Sequence, residues 1–334
     1  MQLRAISNEQ LSSLTTRQME WLEGFQLAGM LTSQVRLLSR EQLGVVEARD
    51  IRILTTAQVF GLLTSQIVAL TTAQIEGLQG AQVTGLGTGQ LKELKPDQIA
   101  AMTGAQIISL SSRQLYLLTS FQFTAIGTAA FGSLKASQLN SLDTERLRYL
   151  TTAQINALTT LQIAALATQI NVLTAAQISS IQVEDVSAMT IAQIGNLSTD
   201  FVRALDANQI IALSTQQVPV LTTLQLRALS AEQMAAFETR DIQMLIAKQA
   251  VALTTACIEA LSTYGVPSLT TAAFRALSDS QMDALTDDQL LSITSMQLMA
   301  LTTTQFQVFS KRSNAFSDSQ LNALAQDQID ALYL

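Results

Sequence analysis

An eight-residue unit runs through the whole sequence, and it constrains the fold more than any other feature. Residues 150–158 show it as Leu-Thr-Thr-Ala-Gln-Ile-Asn-Ala-Leu, and residues 54–59, 70–75 and 301–306 repeat its first part with small changes. A fixed period this short indicates a stack of similar structural elements. Glutamine marks the period at positions 10, 18, 26, 34, 42, 58, 66, 74, 82, 90, 98, 106, 114 and 122, with one-residue slips between Gln162 and Gln169 and again before Gln320.

Each unit carries the signals of a helix start. Thr or Ser followed three residues later by Gln is a capping box, and the Leu before it and the Ile or Val after it form a hydrophobic staple. Pro96 falls at the first helical position, where its missing N–H costs little. A β-solenoid would need alternating apolar residues and β-branched runs. The five-and-three spacing of the apolar residues and the abundant Ala favour helix instead, so we predict an all-α solenoid of very short helices.

A second period lies above the first one. The residue three positions after the Gln is usually Ala, Gly or Ser, but in the second half every third unit often has a different residue there. Pro219 and Pro267 share another position of this 24-residue block, late in the helix, where Pro costs a backbone hydrogen bond. We therefore predict three units per triangular coil, with a shorter helix on one side. The residues that mark every third unit are Val172, Asn196, Val220, Met244, Ser268 and Ser292.

We expect one continuous solenoid domain over residues 1–334, because no linker, low-complexity tail or composition break interrupts the pattern. The residue missing at 166–169 is expected to be absorbed as a tighter corner or a slight bend. Gln is replaced at six positions between 185 and 273. These replacements are cheap if Gln only caps helices, and they weaken this stretch if Gln residues form ladders along the coils. The replacing residues are Asp185, Phe201, Asp241, Cys257, Gly265 and Ala273.

The composition is poor in charge. Charged residues make up 13% of the chain, against a usual fraction of about 25%. Mean hydropathy is +0.27, yet no run approaches the roughly 18 apolar residues of a membrane span. Either much apolar surface is buried inside the coils, or the Thr/Gln/Ala faces also contact other copies. The net charge of −7, with Lys and Arg scattered, argues against nucleic-acid binding.

The residue types argue against an enzyme. The chain has no His, so His-dependent nucleophilic and zinc sites are impossible. The acid pairs at 184–185 and 287–288 fall in first helical turns, where carboxylates suit the helix dipole. Cys257, the single cysteine, is expected to be a packed residue. The glycines at 80–89 lack the GxGxxG and Walker patterns. We predict no catalytic residue, no cofactor and no metal site.

Three further features are expected to be structural. Trp21, the only Trp, occupies the usually small position and is expected to be a packed or corner residue. The charged cluster at 143–148 is expected to be a solvated corner. Glycines at the small position indicate close backbone approach between neighbouring helices; they are Gly61, Gly77 and Gly85.

The units at residues 150–158 and 70–78 resemble the LTTAQIxAL octapeptide repeats of large bacterial proteins, which are of the surface, adhesion and haem-utilisation types. The resemblance extends over the whole chain. It implies a bacterial repeat protein. A haem role is not expected here, because no His is present to serve as axial ligand.

The leading hypothesis is a non-enzymatic structural protein, a rod-like solenoid that self-associates head to tail. The pattern is in phase from Gln2 to Leu334 without a polar capping repeat, and an open solenoid end exposes its core. The expected location is extracellular or at the cell surface, with the cytoplasm as the alternative. Because residues 1–4 show no signal peptide, export would need a removed leader or a leaderless route.

The alternative hypothesis is a soluble scaffold or adhesin segment that recognises a protein or glycan partner through its side faces. The variable position two residues after each Gln would then carry specificity. Charged residues at that position are Glu20, Arg36, Glu76, Lys92, Arg227, Glu259 and Arg275. Neither hypothesis includes a nucleic-acid partner or a membrane span.

Overall fold

The computed structural model describes residues 3–333, and the regular structure of this part of the chain is entirely helical, without a β-strand. The chain divides into two compact units, Met1–Leu166 and Ala167–Leu334. The prediction of an all-α solenoid of very short helices is confirmed. The prediction of a single continuous domain over residues 1–334 stays a prediction.

The first unit begins with the 3-10 helix Leu3–Ala5. Its α-helices are α1 (Asn8–Ser12), α2 (Thr16–Glu20), α3 (Gly24–Ala28), α4 (Thr32–Val35), α5 (Arg40–Gly44), α6 (Ala48–Ile51), α7 (Thr56–Gly61), α8 (Thr64–Ile67), α9 (Thr72–Gly77), α10 (Gly80–Thr84), α11 (Thr88–Glu93), α12 (Pro96–Ala100), α13 (Gly104–Ser109), α14 (Ser112–Leu117), α15 (Ser120–Ala125), α16 (Thr128–Gly132), α17 (Ala136–Leu139), α18 (Thr144–Tyr149), α19 (Thr152–Asn156) and α20 (Thr160–Ala165).

The second unit has three 3-10 helices, Ala167–Val172, Val218–Val220 and Ser310–Ala315, in its described residues. Its α-helices are α21 (Ala175–Ser179), α22 (Val183–Ala188), α23 (Ile191–Asn196), α24 (Thr199–Ala204), α25 (Ala207–Ile211), α26 (Thr223–Ala228), α27 (Ala231–Ala235), α28 (Thr239–Ile242), α29 (Ala247–Ala250), α30 (Thr255–Ala260), α31 (Gly265–Ser268), α32 (Thr271–Arg275), α33 (Asp279–Asp283), α34 (Asp287–Ser292), α35 (Ser295–Met299), α36 (Thr303–Val308), α37 (Asp318–Leu321) and α38 (Gln326–Leu332).

The capping box starts the helices as predicted. At α7 the backbone N–H of Gln58 donates to the Thr55 hydroxyl at 3.2 Å, and the N–H of Thr55 donates to Gln58 Oε1 at 2.7 Å. At α12, Pro96 occupies the first turn. Helices of four to seven residues are too short to be stable alone in water. Their stability must therefore come from packing against other helices.

The helices of each unit pack in three stacks, in which each helix contacts the third helix along the chain. This arrangement confirms three repeat units per triangular coil. The stacks of the first unit are α2-α5-α8-α11-α14-α17-α20, α3-α6-α9-α12-α15-α18 and α4-α7-α10-α13-α16-α19. In the second unit the corresponding series include α21-α24-α26-α29-α32-α35, α22-α25-α27-α30-α33-α36-α38 and α28-α31-α34.

The interior of the coils is filled from two positions of each unit. Ile75, which follows the Gln, is 1% exposed, and Leu78, which precedes the next cap, is 4% exposed. Phe123 and Phe131 take the first of these positions and are fully buried, with their rings edge to face at 5.8 Å. The apolar spacing of the sequence therefore builds one continuous core within a unit.

The small position allows neighbouring helices to approach closely, as predicted. A Cβ on Gly77, at the end of α9, would lie 2.8 Å from the carbonyl oxygen of Ala48 in the stacked helix α6. That distance is well below van der Waals contact, and a backbone carbonyl cannot rotate away. Only glycine fits at this point of the stack.

Both register slips are taken up by 3-10 helices, which are tighter than α-helices. The segment Ala167–Val172 begins with Ala167 in the left-handed region, at φ 45°. The segment Ser310–Ala315 contains Arg312 with non-helical angles. The first segment agrees with the prediction of a tighter corner at 166–169. The two late prolines also act as predicted, since Pro219 lies in the three-residue helix Val218–Val220 and Pro267 in the four-residue helix α31.

Candidate functional site

The most regular chemical feature of the structure is the buried glutamine of each repeat unit. Gln58 is 2% exposed, and its Oε1 accepts the N–H of its own cap. Its Nε2 donates to the carbonyl oxygens of Leu27 at 3.0 Å and Met30 at 2.9 Å, which lie 31 and 28 residues earlier in the preceding coil. One side chain therefore caps its own helix and joins two coils. The capping role is confirmed, and the contact between coils runs from the Gln amide to backbone carbonyls instead of forming a ladder of stacked Gln side chains.

This bridge recurs with the same register along each unit. It uses two carbonyl groups at a helix C-terminus. The second, such as that of Met30, accepts no backbone N–H, whereas the first, such as that of Leu27, also accepts the N–H of Met30 at 3.1 Å. Bridging glutamines of the first unit are Gln34, Gln42, Gln58, Gln66, Gln74, Gln82, Gln90, Gln98, Gln106, Gln114, Gln122, Gln138, Gln154 and Gln162. Those of the second unit include Gln209, Gln217, Gln225, Gln233, Gln249, Gln281, Gln289, Gln297, Gln305, Gln320 and Gln328.

Arg146 replaces Gln in α18 and keeps the bridge by different chemistry. Its guanidinium donates to the carbonyl oxygen of Tyr116 in the preceding coil and lies 4.0 Å from the centroid of the Tyr116 ring. It also pairs with Asp143, the helix cap, at 2.6 Å. The prediction that the cluster at 143–148 is a solvated corner is therefore wrong for Arg146, whose side chain is 19% exposed. The sequence does contain a signal for this contact: the cap residue and the Gln are replaced together, by Asp143 and Arg146, which carry opposite charges.

Three acidic residues occupy the Gln position, and all three are buried. Asp50 accepts the N–H of Gly24 at 3.0 Å. Burial, reinforced by the neighbouring charge of Glu184, raises the pKa of Asp185 to about 6. Burial also raises the pKa of Asp241, against the opposing charge of Arg240. A carboxylate cannot donate to the carbonyls that Gln would bridge, so these coils lack the usual contact.

Cys257 is fully buried, as predicted for a packed residue. Its Sγ lies 3.5 Å from the carbonyl oxygen of Leu229, 28 residues earlier, which is the position that a Gln side chain would bridge. A thiol is a weak donor. Cys257 therefore contacts the same carbonyl as a bridging Gln would, but with a weaker donor than an amide.

The acid pairs and glycines named in the sequence analysis form no converging site. Asp287 pairs with Arg312, and the glycines at 80–89 lie in and between α10 and α11 rather than in a loop. Over residues 3–333, no group of three His, Cys, Asp or Glu side chains is placed to hold a metal ion. That the protein is not an enzyme remains a prediction.

Trp21 lies at a corner, where it ends α2, but it is not packed, since 71% of it is exposed. With Phe25 and Ile53, 66% and 50% exposed, it borders an open groove of about 530 Å³. The guanidinium of Arg17 lies 5.5 Å from the Trp21 ring. The groove combines aromatic walls with the exposed carboxylates of Glu20 and Glu23.

The charged residues predicted to carry partner specificity are all exposed, but they do not meet on one surface. Within the first unit Glu20 and Lys92 belong to helices of one stack, while Arg36 ends α4 and Glu76 lies on α9, in the other two stacks. In the second unit Arg227, Glu259 and Arg275 are likewise exposed at separate helices.

Comparison with known proteins gives one family match. The model of the ALTTAQ repeat matches residues 44–80 and 134–168, so these two stretches are repeats of the LTTAQ octapeptide type. No curated protein matches the chain. Among the helices of residues 3–333, none has the length and apolar character that crossing a membrane requires.

Proposed function

We propose that this protein is a structural repeat protein whose copies associate head to tail into filaments or surface assemblies. The supporting observation is that the same contact recurs between successive coils in both units. Gln58 Nε2 lies 2.9 Å from the Met30 carbonyl in the first unit, and Gln225 Nε2 lies 2.8 Å from the Leu197 carbonyl in the second. Since coils that carry the bridge present the same two surfaces, such a coil of one copy fits against one of the next. A heterologous contact that does not close builds a filament.

Three glutamines supply donors for such a contact. Gln10, Gln18 and Gln26 accept the N–H of their own caps, but their Nε2 atoms donate to no other coil within the described residues. They have the spacing of the glutamines that bridge coils elsewhere in the chain. The low fraction of charged residues, 13%, leaves little electrostatic repulsion between copies.

Negative-stain electron microscopy of the purified chain across a concentration series tests this proposal. Filaments that lengthen with concentration are expected. Particles of single-chain size at every concentration would rule the proposal out.

A triple change of Gln10, Gln18 and Gln26 to Glu tests the proposed donors. Glu keeps the capping acceptor but has no N–H to donate, so the fold should survive and the filaments should disappear. The matched control changes three exposed glutamines that bridge no coil, Gln216, Gln243 and Gln307, to Glu, with the same added charge. Equal loss of filaments in both variants would assign the effect to charge and contradict the proposed contact.

The groove at Trp21 supports a second candidate function, a scaffold or adhesin that binds a protein or glycan partner through a side face. Exposed Trp and Phe rings beside free carboxylates can stack on a sugar ring or hold a basic side chain. Glu20 and Glu23 form no ion pair within residues 3–333, so their charge is available to a partner.

Glycan and peptide arrays probed with the chain and with Trp21→Ala test this candidate. Binding to an array position should be lost in Trp21→Ala, because truncation removes the largest wall of the groove. Leu161→Ala is the control, since Leu161 is 79% exposed and lies outside the groove. Absence of binding, or binding that Trp21→Ala leaves intact, would eliminate this candidate.

A further inference from the structure

Two acidic residues at the Gln position have the same local surroundings. Residues 47–51 are Glu-Ala-Arg-Asp-Ile and residues 238–242 are Glu-Thr-Arg-Asp-Ile. In the first segment the Arg Nε lies 2.7 Å from the Glu and 3.8 Å from Asp50. In the second the distances are 2.6 Å to the Glu and 3.8 Å to Asp241. Any difference between the two carboxyl groups must therefore come from the coil on which each one packs.

The difference is a single backbone donor. Asp50 Oδ1 accepts the N–H of Gly24, which lies 26 residues earlier, at 3.0 Å. The matching residue before Asp241 is Thr215, and neither carboxyl oxygen of Asp241 has a hydrogen-bond partner, although the residue is 1% exposed. A Cβ on Gly24 would lie 2.9 Å from Asp50 Oδ1. Because Thr215 carries that Cβ, the same approach is blocked at Asp241.

The register of the bridges identifies what faces Asp241. Gln side chains at this position reach carbonyl oxygens 31 and 28 residues earlier, as Gln249 does with Val218 and Leu221. For Asp241 those carbonyls belong to Ile210 and Leu213. Cys257 shows that even a short side chain can reach the carbonyl 28 residues earlier, since its Sγ lies 3.5 Å from Leu229 O. An ionised carboxylate has no proton to offer there, whereas a neutral carboxyl has one.

The charged groups around Asp241 are few. Arg240 and Glu238 act on it from its own helix, and the Glu238 N–H lowers its pKa without reaching hydrogen-bonding geometry. The stacked helix α31 and the 3-10 helix Val218–Val220 carry no charged side chain. On the helices next along the chain, the charged residues are Lys248 and Glu232, and α26 of the same coil carries Arg227. In the preceding coil, Asp206 is engaged as the cap of α25, and Asp200 and Arg203 of α24 pair with each other.

We propose that Asp241 is a proton-operated latch between two successive coils of the second unit. When neutral, its O–H donates to a carbonyl of the preceding coil and takes the place of the missing glutamine amide. When ionised, it directs two unpaired oxygens at carbonyl oxygens, and the contact loosens. The ligand that the Asp241 site binds and releases is therefore a proton.

The latch lies where few other bridges hold the coils. Of the next four Gln positions, 249 carries the amide, 257 only a thiol, and Gly265 and Ala273 no donor side chain. The prediction that replacements weaken this stretch thus gains a mechanism, because the lost bonds are those between coils. If the coils begin to separate at Asp241, few side-chain bridges oppose their further separation as far as Ala273, and the main one is that of Gln249.

The sign of the pH effect follows from the raised pKa of Asp241. The folded chain holds this proton at pH values where the unfolded chain has released it. Stability therefore falls as pH rises above the ordinary range of an Asp and through the folded pKa. Asp185 adds a loss of stability of the same sign between about pH 4 and about pH 6. The test must therefore measure the coils around Asp241 and not the stability of the whole chain.

Hydrogen exchange with mass spectrometry on the full chain at pH 5 and pH 8, corrected for the intrinsic exchange rate, provides that readout. Amides of residues 207–245 should exchange at least about five-fold faster at pH 8 in the native chain. Asp241→Gln restores the repeat residue and should remove this difference, and the near-isosteric Asp241→Asn should remove it as well. Asp50→Gln is the matched control and should change the protection of the first unit by the same factor at pH 5 and at pH 8.

Three results would overturn the latch. The native chain could show equal corrected protection of residues 207–245 at both pH values. Asp241→Asn and Asp241→Gln could keep the full pH difference. Asp50→Gln could increase protection at pH 8 but not at pH 5, as Asp241→Gln does, which would make the pH effect general for an Asp at the Gln position.

Discussion

At the scale of the residue, the glutamine amide solves a problem created by very short helices. A helix leaves four N–H and four C=O groups without partners at its ends, so a helix of five residues is nearly all ends. Gln74 accepts the N–H of Thr71 at 2.8 Å and donates to the carbonyls of Leu43 and Val46 at 2.8 and 2.6 Å. Both ends of the amide are used, and each use satisfies a different helix end.

Replacing Gln74 by Ala should therefore cost more than the loss of a cap. The change leaves the buried Val46 carbonyl and the Thr71 N–H unpaired, whereas the Leu43 carbonyl keeps the Val46 N–H at 3.2 Å. We expect a loss of about 2–4 kcal/mol in the free energy of unfolding. Gln18 makes the capping contact without a bridge in the described residues, so Gln18→Ala should cost less than about 1 kcal/mol. Urea unfolding followed by circular dichroism compares the two. Equal losses would show that the bridges contribute nothing beyond capping.

At the scale of the element, stacking depends on how closely two helices can approach. Gly77 ends α9 directly over the Ala48 carbonyl of α6, whereas Gly44 ends α5 with no atom within 4 Å of the place of its Cβ. Each of the two glycines is the last residue of its helix, but the two meet different neighbours. Their comparison separates packing from helix propensity.

Gly77→Ala should destabilise the chain by about 1–3 kcal/mol, because the new methyl group meets a backbone carbonyl that cannot move aside. Gly44→Ala should stabilise it by about 0.5–1 kcal/mol, because Ala loses less backbone entropy in a helix. Thermal unfolding of both variants measures the difference. Shifts of the same sign would show that the helices do not approach at Gly77 as closely as described.

At the scale of the whole molecule, contacts between coils remain short in sequence however long the chain becomes. The bridges span 28 to 31 residues in the first unit and 27 to 31 in the second. Contacts of this range keep the relative contact order low, and low contact order favours rapid folding. A change in one coil should therefore be felt by its neighbours and only weakly beyond them.

Much of the fold could be predicted because the signals are local. The capping box fixed the helix starts, the small position revealed three units per coil, and Pro96, Pro219 and Pro267 marked the helices they lie in. Each of these inferences uses residues within one unit or a comparison between units. The slips at 166–169 and before Gln320 were likewise visible as interruptions of a period.

The bridges could not be predicted because they depend on which carbonyls lie opposite a side chain. Asp50 and Asp241 have nearly identical local sequences, and the residue that distinguishes them lies 26 positions earlier, as Gly24 or Thr215. The sequence predicts a solvated Arg146, because charged side chains are normally exposed, whereas the carbonyl and the ring of Tyr116 cover its guanidinium. Trp21 was expected to pack or to form a corner, and only the three-dimensional arrangement shows its exposed ring.

The direction of the glutamine bridges also bears on how the chain is made. In every bridge the donor comes later in the sequence than the carbonyl it binds. A ribosome releases the N-terminal part first, so each coil emerges onto acceptors that have already folded. Synthesis and folding can therefore proceed in the same order: the N-terminal caps of a coil form within that coil, and its C-terminal carbonyls are bonded when the next coil emerges.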